Sequence, residues 1–132
     1  VTPQAIPVDF DLVVVQVEPP QSKVLFNVTL QAKLNASLTN LGDLDAHNVR
    51  VQIRARVGNS YINVNAADPF VVSIGGLAAR TTASQLLTLE MKMSLAQGKQ
   101  AQNEGIIFEI TALSNERTKR FPNMLCTQAS CN

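Results

Sequence analysis

The chain has 132 residues, 45% of them hydrophobic, with 11 Lys and Arg against 10 Asp and Glu for a net charge of +1. That length and apolar content fit one domain with its own core and exclude wholesale disorder, and a near-zero net charge supplies no general attraction to nucleic acid or to an anionic membrane. Charged residues are only 16% of the chain, against a norm of roughly 25%, so solubility must rest on Asn, Gln, Ser and Thr, on glycans, or on burial against neighbours.

The first residue is Val1 and not Met, for which a removed secretory signal peptide is the expected explanation. No run of about 18 apolar residues occurs, so no membrane span is expected. Residues 1–20 read as an N-terminal extended segment, 21–114 as the body of a β-sandwich, and 115–132 as an irregular tail. Pro3 and Pro7 favour an extended course at the start. Val8 to Val17 then reads as a strand with Phe10, Leu12 and Val14 on one face and Val13, Val15 and Val17 on the other. Apolar on both sides, it is expected to be covered on both faces. Glu18-Pro19-Pro20-Gln21 follows as a stiff break that detaches this strand from the body.

From Leu25 to Leu38 apolar and polar residues alternate without interruption, the pattern of one long half-buried strand. Phe26, Val28, Leu30, Ala32, Leu34, Ala36 and Leu38 share the apolar side. Two glycan-acceptor sequons, Asn27-Val28-Thr29 and Asn35-Ala36-Ser37, present their asparagines on the polar side. N-glycans at Asn27 and Asn35 are therefore expected, where they would leave the core undisturbed.

Asn40-Leu41-Gly42-Asp43 supplies a turn, after which Val49, Val51, Ile53, Ala55 and Val57 alternate inward against Asn48, Arg50, Gln52, Arg54 and Arg56. Gly58-Asn59 is a hairpin dipeptide. Tyr61 to Val64 and Phe70 to Ile74 read as short strands, the second ended by Gly75-Gly76. Leu87, Leu89, Met91, Met93 and Leu95 form the next inward row, Gln97 to Glu104 reads as a polar loop, and Ile106, Phe108, Ile110 and Ala112 form the last row. Seven or eight strands with turns between them, and no segment of helical period, predict an all-β fold. It is a single elongated β-sandwich, immunoglobulin-like or jelly-roll, with long antiparallel strands. In the tail, Cys126 and Cys131 are expected to form a disulfide in an oxidising compartment.

Asn40, Gly42, Ala46, Asn48 and Val49 resemble a pattern of immunoglobulin-like surface domains of the CARDB type, in which an Asn-X-Gly turn precedes a small residue and a valine strand. Ile74-Gly75-Gly76-Leu77-Ala78 is similar to the same family's next turn and strand entry. The detached N-terminal strand and cysteine tail look more like the secreted subunits of archaeal bundling pili and of TasA-type fibre proteins. That second resemblance is architectural. It implies polymerisation by lending an N-terminal strand to the next subunit.

Catalytic chemistry finds little to work with. There is 1 His, 1 Tyr and no Trp, no Gly-X-Ser-X-Gly elbow and no Gly-rich phosphate loop. His47 reads as an ordinary turn residue. Asp9/Asp11 and Asp43/Asp45 could each provide two of the six to eight oxygens that calcium takes, but such acids are more often turn formers or solvated strand residues. Arg50, Arg54 and Arg56 lack the interleaved aromatics of a nucleic-acid surface. No enzyme, cofactor, metal or nucleic acid is expected. The expected function is that of an extracellular, cell-surface structural subunit. It polymerises head to tail with copies of itself through Val8, Phe10, Leu12, Val13, Val14, Val15 and Val17 as donor strand, in a strand-addition mode. The alternative is a CARDB-like adhesion or carbohydrate-binding module, for which Tyr61 and the Asp43/Asp45 turn are the residues to test.

Overall fold

The structure, a computed structural model, describes residues 7–22 and 28–127. Asn27 and Cys131, and with them one sequon and one half of the expected disulfide, lie outside the described residues.

Alternating rows dictate two facing sheets. In the first sheet β1 (Phe10–Ser22), β2 (Val28–Asn40) and β6 (Thr82–Met93) run antiparallel in the order β1-β2-β6. In the second, β3 (Ala46–Val57) pairs on one side with β4 (Ser60–Ile62) and β5 (Phe70–Leu77), and on the other with β7 (Ile106–Leu113). The far edge of β7 carries β8 (Thr118–Arg120) and β9 (Met124–Cys126). The chain crosses between sheets from β2 to β3, from β5 to β6 and from β6 to β7. This puts β1, β2 and β6 in the places of immunoglobulin strands A, B and E, and β3, β7 and β8/β9 in those of C, F and G. The expected all-β sandwich with antiparallel sheets is thus present. At about 3.3 Å per residue, the 13-residue β1 and β2 each run roughly 40 Å.

Between the sheets the expected rows meet. Leu30, Leu34 and Leu38 of β2 and Leu89 and Met91 of β6 pack against Val49, Ile53, Phe108 and Ile110, all buried. The β3–β4 hairpin turns on Gly58, whose φ of 56° at the first central position is the left-handed conformation that a two-residue hairpin turn assigns to glycine.

At one end of the sandwich a buried amide joins three segments. Asn40 is fully buried. Its Nδ2 donates to the carbonyls of Leu44 (2.9 Å) and Leu77 (3.1 Å), while its Oδ1 accepts from the Gly42 N–H (2.9 Å). The end of β2, the entry to β3 and the end of β5 are therefore held by one side chain. Gly42 lies so close to the N-terminal segment that a methyl group there would overlap the Pro7 carbonyl. The Leu41 N–H donates to the Asp9 carbonyl at 2.8 Å. Two of the residues that carry the sequence resemblance thus have a local physical role.

Several expectations are corrected. The segment from Gln97 to Glu104 is not a loop, since α1 spans Leu95–Glu104. A capping box starts it: the Gln97 N–H donates to Ser94 Oγ, and the Ser94 N–H to Gln97 Oε1, each at 3.2 Å. Its buried residues are Gly98 and Ala101, so it has no large apolar stripe for the sequence to display. Leu95 accordingly leaves the β6 row and is exposed. The segment read as an irregular tail contains β8 and β9. The first of the two short strands ends at Ile62, and β5 continues through Gly75-Gly76 to Leu77. The long alternating strand is described from Val28, and residues 23–27 lie outside the described residues.

Most consequential is β1. It does not stop at the proline pair but continues to Ser22, with register shifts against β2 between Gln16 and Glu18 and between Glu18 and Gln21. An edge position tolerates the missing proline N–H groups. Nor is β1 covered on both faces: Val13, Val15 and Val17 are 54%, 55% and 54% exposed, because among the described residues no further layer lies outside the first sheet.

Replacing Asn40 by Ala leaves two carbonyls and one N–H without their partner. We expect a loss of about 3 kcal/mol of stability, seen as a lower urea midpoint at an unchanged slope. A loss below about 1 kcal/mol would contradict the role assigned to this amide.

Candidate assembly surfaces

The first described strand and the residues just before it close the core. Val8 is 2% exposed and Phe10 is fully buried, with Leu12 and Val14 packed against the same cluster. Among the described residues β1 pairs with β2 alone, in a register from Phe10 opposite Asn40 to Ser22 opposite Leu30. All seven residues expected to form a donor strand are therefore on or beside β1, inside the chain's own sandwich. Val8, Phe10, Leu12 and Val14 face inward, and Val13, Val15 and Val17 face outward.

A charged latch holds the start of this strand. Lys119 Nζ donates to Asp9 Oδ1 at 3.3 Å and to the Phe10 carbonyl at 2.7 Å. Arg117 Nε stands 3.3 Å from the same carboxylate oxygen, which also accepts the Phe10 N–H at 2.9 Å. Burial by itself would raise the Asp9 pKa, but the Phe10 N–H, Lys119 and Arg117 together hold it below the ordinary value of 3.8. The irregular tail expected from sequence is thus the source, through β8, of both cations at this latch.

On the opposite side of the sandwich the two sheets present edges, β6 and β5. Half of the β6 edge is occupied by the loop after β4. The Asn65 N–H donates to the Glu90 carbonyl (2.8 Å), its side chain accepts the Glu90 N–H (2.9 Å), and its Nδ2 donates to the Thr88 carbonyl (3.1 Å). This is one way a protein blunts a sheet edge. Between the remaining stretch of β6 and the outer side of β5 an apolar slot of about 150 Å³ opens, walled by Val72, Ile74, Ala83 and Gln85 with Leu12, Val51 and Leu87 beneath. The small side chains of Ala36 and Ala83 leave this space.

The outer face of the second sheet carries charge in pairs. Arg54 is bidentate to Asp68 (3.0 and 3.3 Å) and lies 3.8 Å over the Tyr61 ring. Arg56 Nε and the Tyr61 hydroxyl donate to Glu109 Oε2 at 3.0 and 2.8 Å, and Arg120 reaches Oε1 at 3.4 Å. Burial pushes the Glu109 carboxyl up, and the Tyr61, Arg56 and Arg120 contacts more than offset it, so its pKa is lowered. Tyr61 therefore has one ring face taken by a guanidinium and its hydroxyl in use. Arg54 and Arg56 are each paired with an acid, and Arg50 Nε donates to the Asn48 carbonyl at 3.2 Å, so the row is not aligned as a phosphate-binding track.

The remaining candidates have structural partners. His47 Nδ1 lies 2.9 Å from Glu116, which also accepts the His47 N–H at 2.7 Å. Asp43 pairs with Arg80, and Asp45 accepts the Ala79 N–H at 2.9 Å, so both acids join the β2–β3 turn to the loop before β6. Among the described residues no three His, Cys, Asp or Glu side chains are grouped to hold a metal ion, and no helix is long and apolar enough to cross a membrane. Cys126 is buried and disulfide-bonded. Asn35 is exposed on the outer face of β2, between Val15 of β1 and Leu86 of β6. Sequence reasoning gave no role to Arg117 or Asn65 and did not join Lys119 to Asp9 or Glu109 to Arg56, because no local spacing signals these contacts.

No protein-family model matches this chain, and no curated protein matches it.

The latch has a pH signature. A carboxyl whose pKa is lowered on folding contributes stability that is complete above its ordinary value of 3.8 and is lost as pH falls through the lowered value. Asp9→Asn should therefore be less stable than the parent near neutral pH, and the difference should narrow at a pH of about 2.5. Urea titrations of both chains at the two pH values check this. A gap that stays constant with pH would remove the charge from the explanation.

Proposed function

We propose that this chain is an extracellular structural subunit that assembles head to tail by exchanging its N-terminal strand, β1, between neighbouring copies. One observation carries the reading: the core is closed by β1, an edge strand that among the described residues pairs with β2 alone. Any contact that β1 makes with its own β2 and core can be made identically by the β1 of another copy. Exchange therefore costs no contact energy, which is why swapping is an accessible route to assembly. The exchanged surface is substantial in energy, since burying Phe10 and Val8 alone is worth roughly 1.5–3 kcal/mol each. Main-chain pairing along β2 adds register, and alternate side chains of β1 fill the pockets beneath.

β1 and β2 are joined by residues 23–27, and the ladder beside Pro19-Pro20 is already irregular. When each copy donates in one direction the contact does not close on itself, and an open filament results. The disulfide at Cys126 fits an oxidising, extracellular location. This is also the assembly mode implied by the resemblance to fibre subunits. Stacking of sugars, the alternative, finds one aromatic ring on the charged face, and Arg54 already covers one side of it.

Val13 and Ser37 are directly opposite across β1 and β2, and both point outward. In the double variant Val13→Cys/Ser37→Cys, oxidised after assembly, strand exchange joins different chains. A ladder of covalent oligomers should appear on a non-reducing gel and collapse to monomer on reduction. Complete conversion to an intrachain bond, with no ladder, would overturn exchange and leave β1 as an ordinary first strand.

A further inference from the structure

The outer face of the first sheet is not used by strand exchange, and it has an unusual make-up. Val13, Val15, Val17 and Leu86 are each more than half exposed there. The register sets Val15, Asn35 and Leu86 in one row across the three strands, with Asn35 in the middle. In the next row Ser37 and Ser84 share a hydroxyl hydrogen bond of 2.8 Å. Asn35 begins the sequon Asn35-Ala36-Ser37. An acceptor amide thus stands at the centre of the apolar row.

We propose that Asn35 carries an N-linked glycan whose first sugars lie across Val15 and Leu86, so that carbohydrate, and not a protein partner, covers this face. Cross-strand neighbours on one face are about 5 Å apart, so a sugar ring attached to Asn35 Nδ2 meets an apolar side chain on either side. The hydrophobic C–H face of a pyranose suits those side chains, and its hydroxyls remain in water. A flat protein partner would instead bury the Asn35 amide without a hydrogen bond, at a cost. Leu34 and Ala36 point the opposite way into the sandwich, so the modification leaves the core as it is.

Transfer requires a glycosyl donor activated on a lipid-linked phosphate. Asn35 Nδ2 bonds to the anomeric carbon as the carbon–oxygen bond to phosphate breaks. The phosphate leaves with the bonding pair, and the amide nitrogen loses one proton. In the folded sheet β2 is paired on both sides, and the Ser37 hydroxyl is bound to Ser84. The acceptor segment is then closed to another protein's active site, so transfer precedes the docking of β1 and β6 onto β2.

This inference rests on the extracellular part of the proposed function and is independent of strand exchange. The test is mass spectrometry of proteolytic peptides from the protein isolated from its natural source, with Asn35→Gln and Ser37→Ala expressed in the same source. The peptide containing Asn35 should carry a sugar mass that both variants lose. Dye fluorescence that reports exposed apolar surface should rise several-fold in Asn35→Gln. It should fall back when Val13, Val15 and Leu86 are also changed to Thr. A bare Asn35 in protein recovered from outside the cell would overturn the glycan while leaving the extracellular location standing. A bare Asn35 in protein found only inside the cell would overturn both. A glycan whose loss leaves the dye signal unchanged would overturn its seat on Val15 and Leu86.

Discussion

The buried amide of Asn40 is the constraint on which the rest of this sandwich depends. A polar side chain with no exposure to water must find every partner inside the protein, and this one finds them on three separate segments. In doing so it sets where β2 ends, how the chain crosses to β3, and where β5 stops. The turn it shapes then brings Gly42 against Pro7 and the Leu41 N–H to the Asp9 carbonyl, so the entry to β1 is positioned by the same knot. The burial of Val8 and Phe10 follows from that placement.

Function, as proposed, grows from a tension at this end. β1 seals the core, which favours keeping it in place, yet it is an edge strand that among the described residues pairs with β2 alone, which makes it the element most readily traded for an identical copy. The Asp9, Lys119 and Arg117 contacts act on its first residues, at the point where a peeling strand would begin to leave. At the opposite edge, Asn65 occupies half of β6 in the manner of a pairing strand and thereby blunts uncontrolled edge-to-edge association. The two faces of the sandwich also divide the surface chemistry. Paired charge sits outside β3 and β7, and Val13, Val15 and Leu86 sit around the Asn35 sequon outside the first sheet.

What reads well from sequence are the long rows buried on one side only. Val49 to Val57, Leu87 to Met93 and Ile106 to Ala112 alternate because a pleated strand has two faces and only one meets the core. Short or weakly patterned elements do not read so well. α1 buries a glycine and an alanine, and its start depends on a two-residue capping exchange, so it looks polar throughout. β8 and β9 are three residues each and exist because β7 offers an edge to pair with. The proline pair looks like a break, yet an edge strand runs through it.

By itself the sequence determined the fold class, the inward rows, the hairpin at Gly58, and the two sequons and cysteine pair, because these depend on period, glycine conformation or local spacing. Only the tertiary structure decided what those features face. It seats Val8 and Phe10 in the chain's own core and leaves Val13, Val15 and Val17 in solvent. It brings Lys119 to Asp9 across more than a hundred residues, and it places Asn35 between Val15 and Leu86. Each of these depends on which strands become neighbours, a long-range choice that no local pattern encodes.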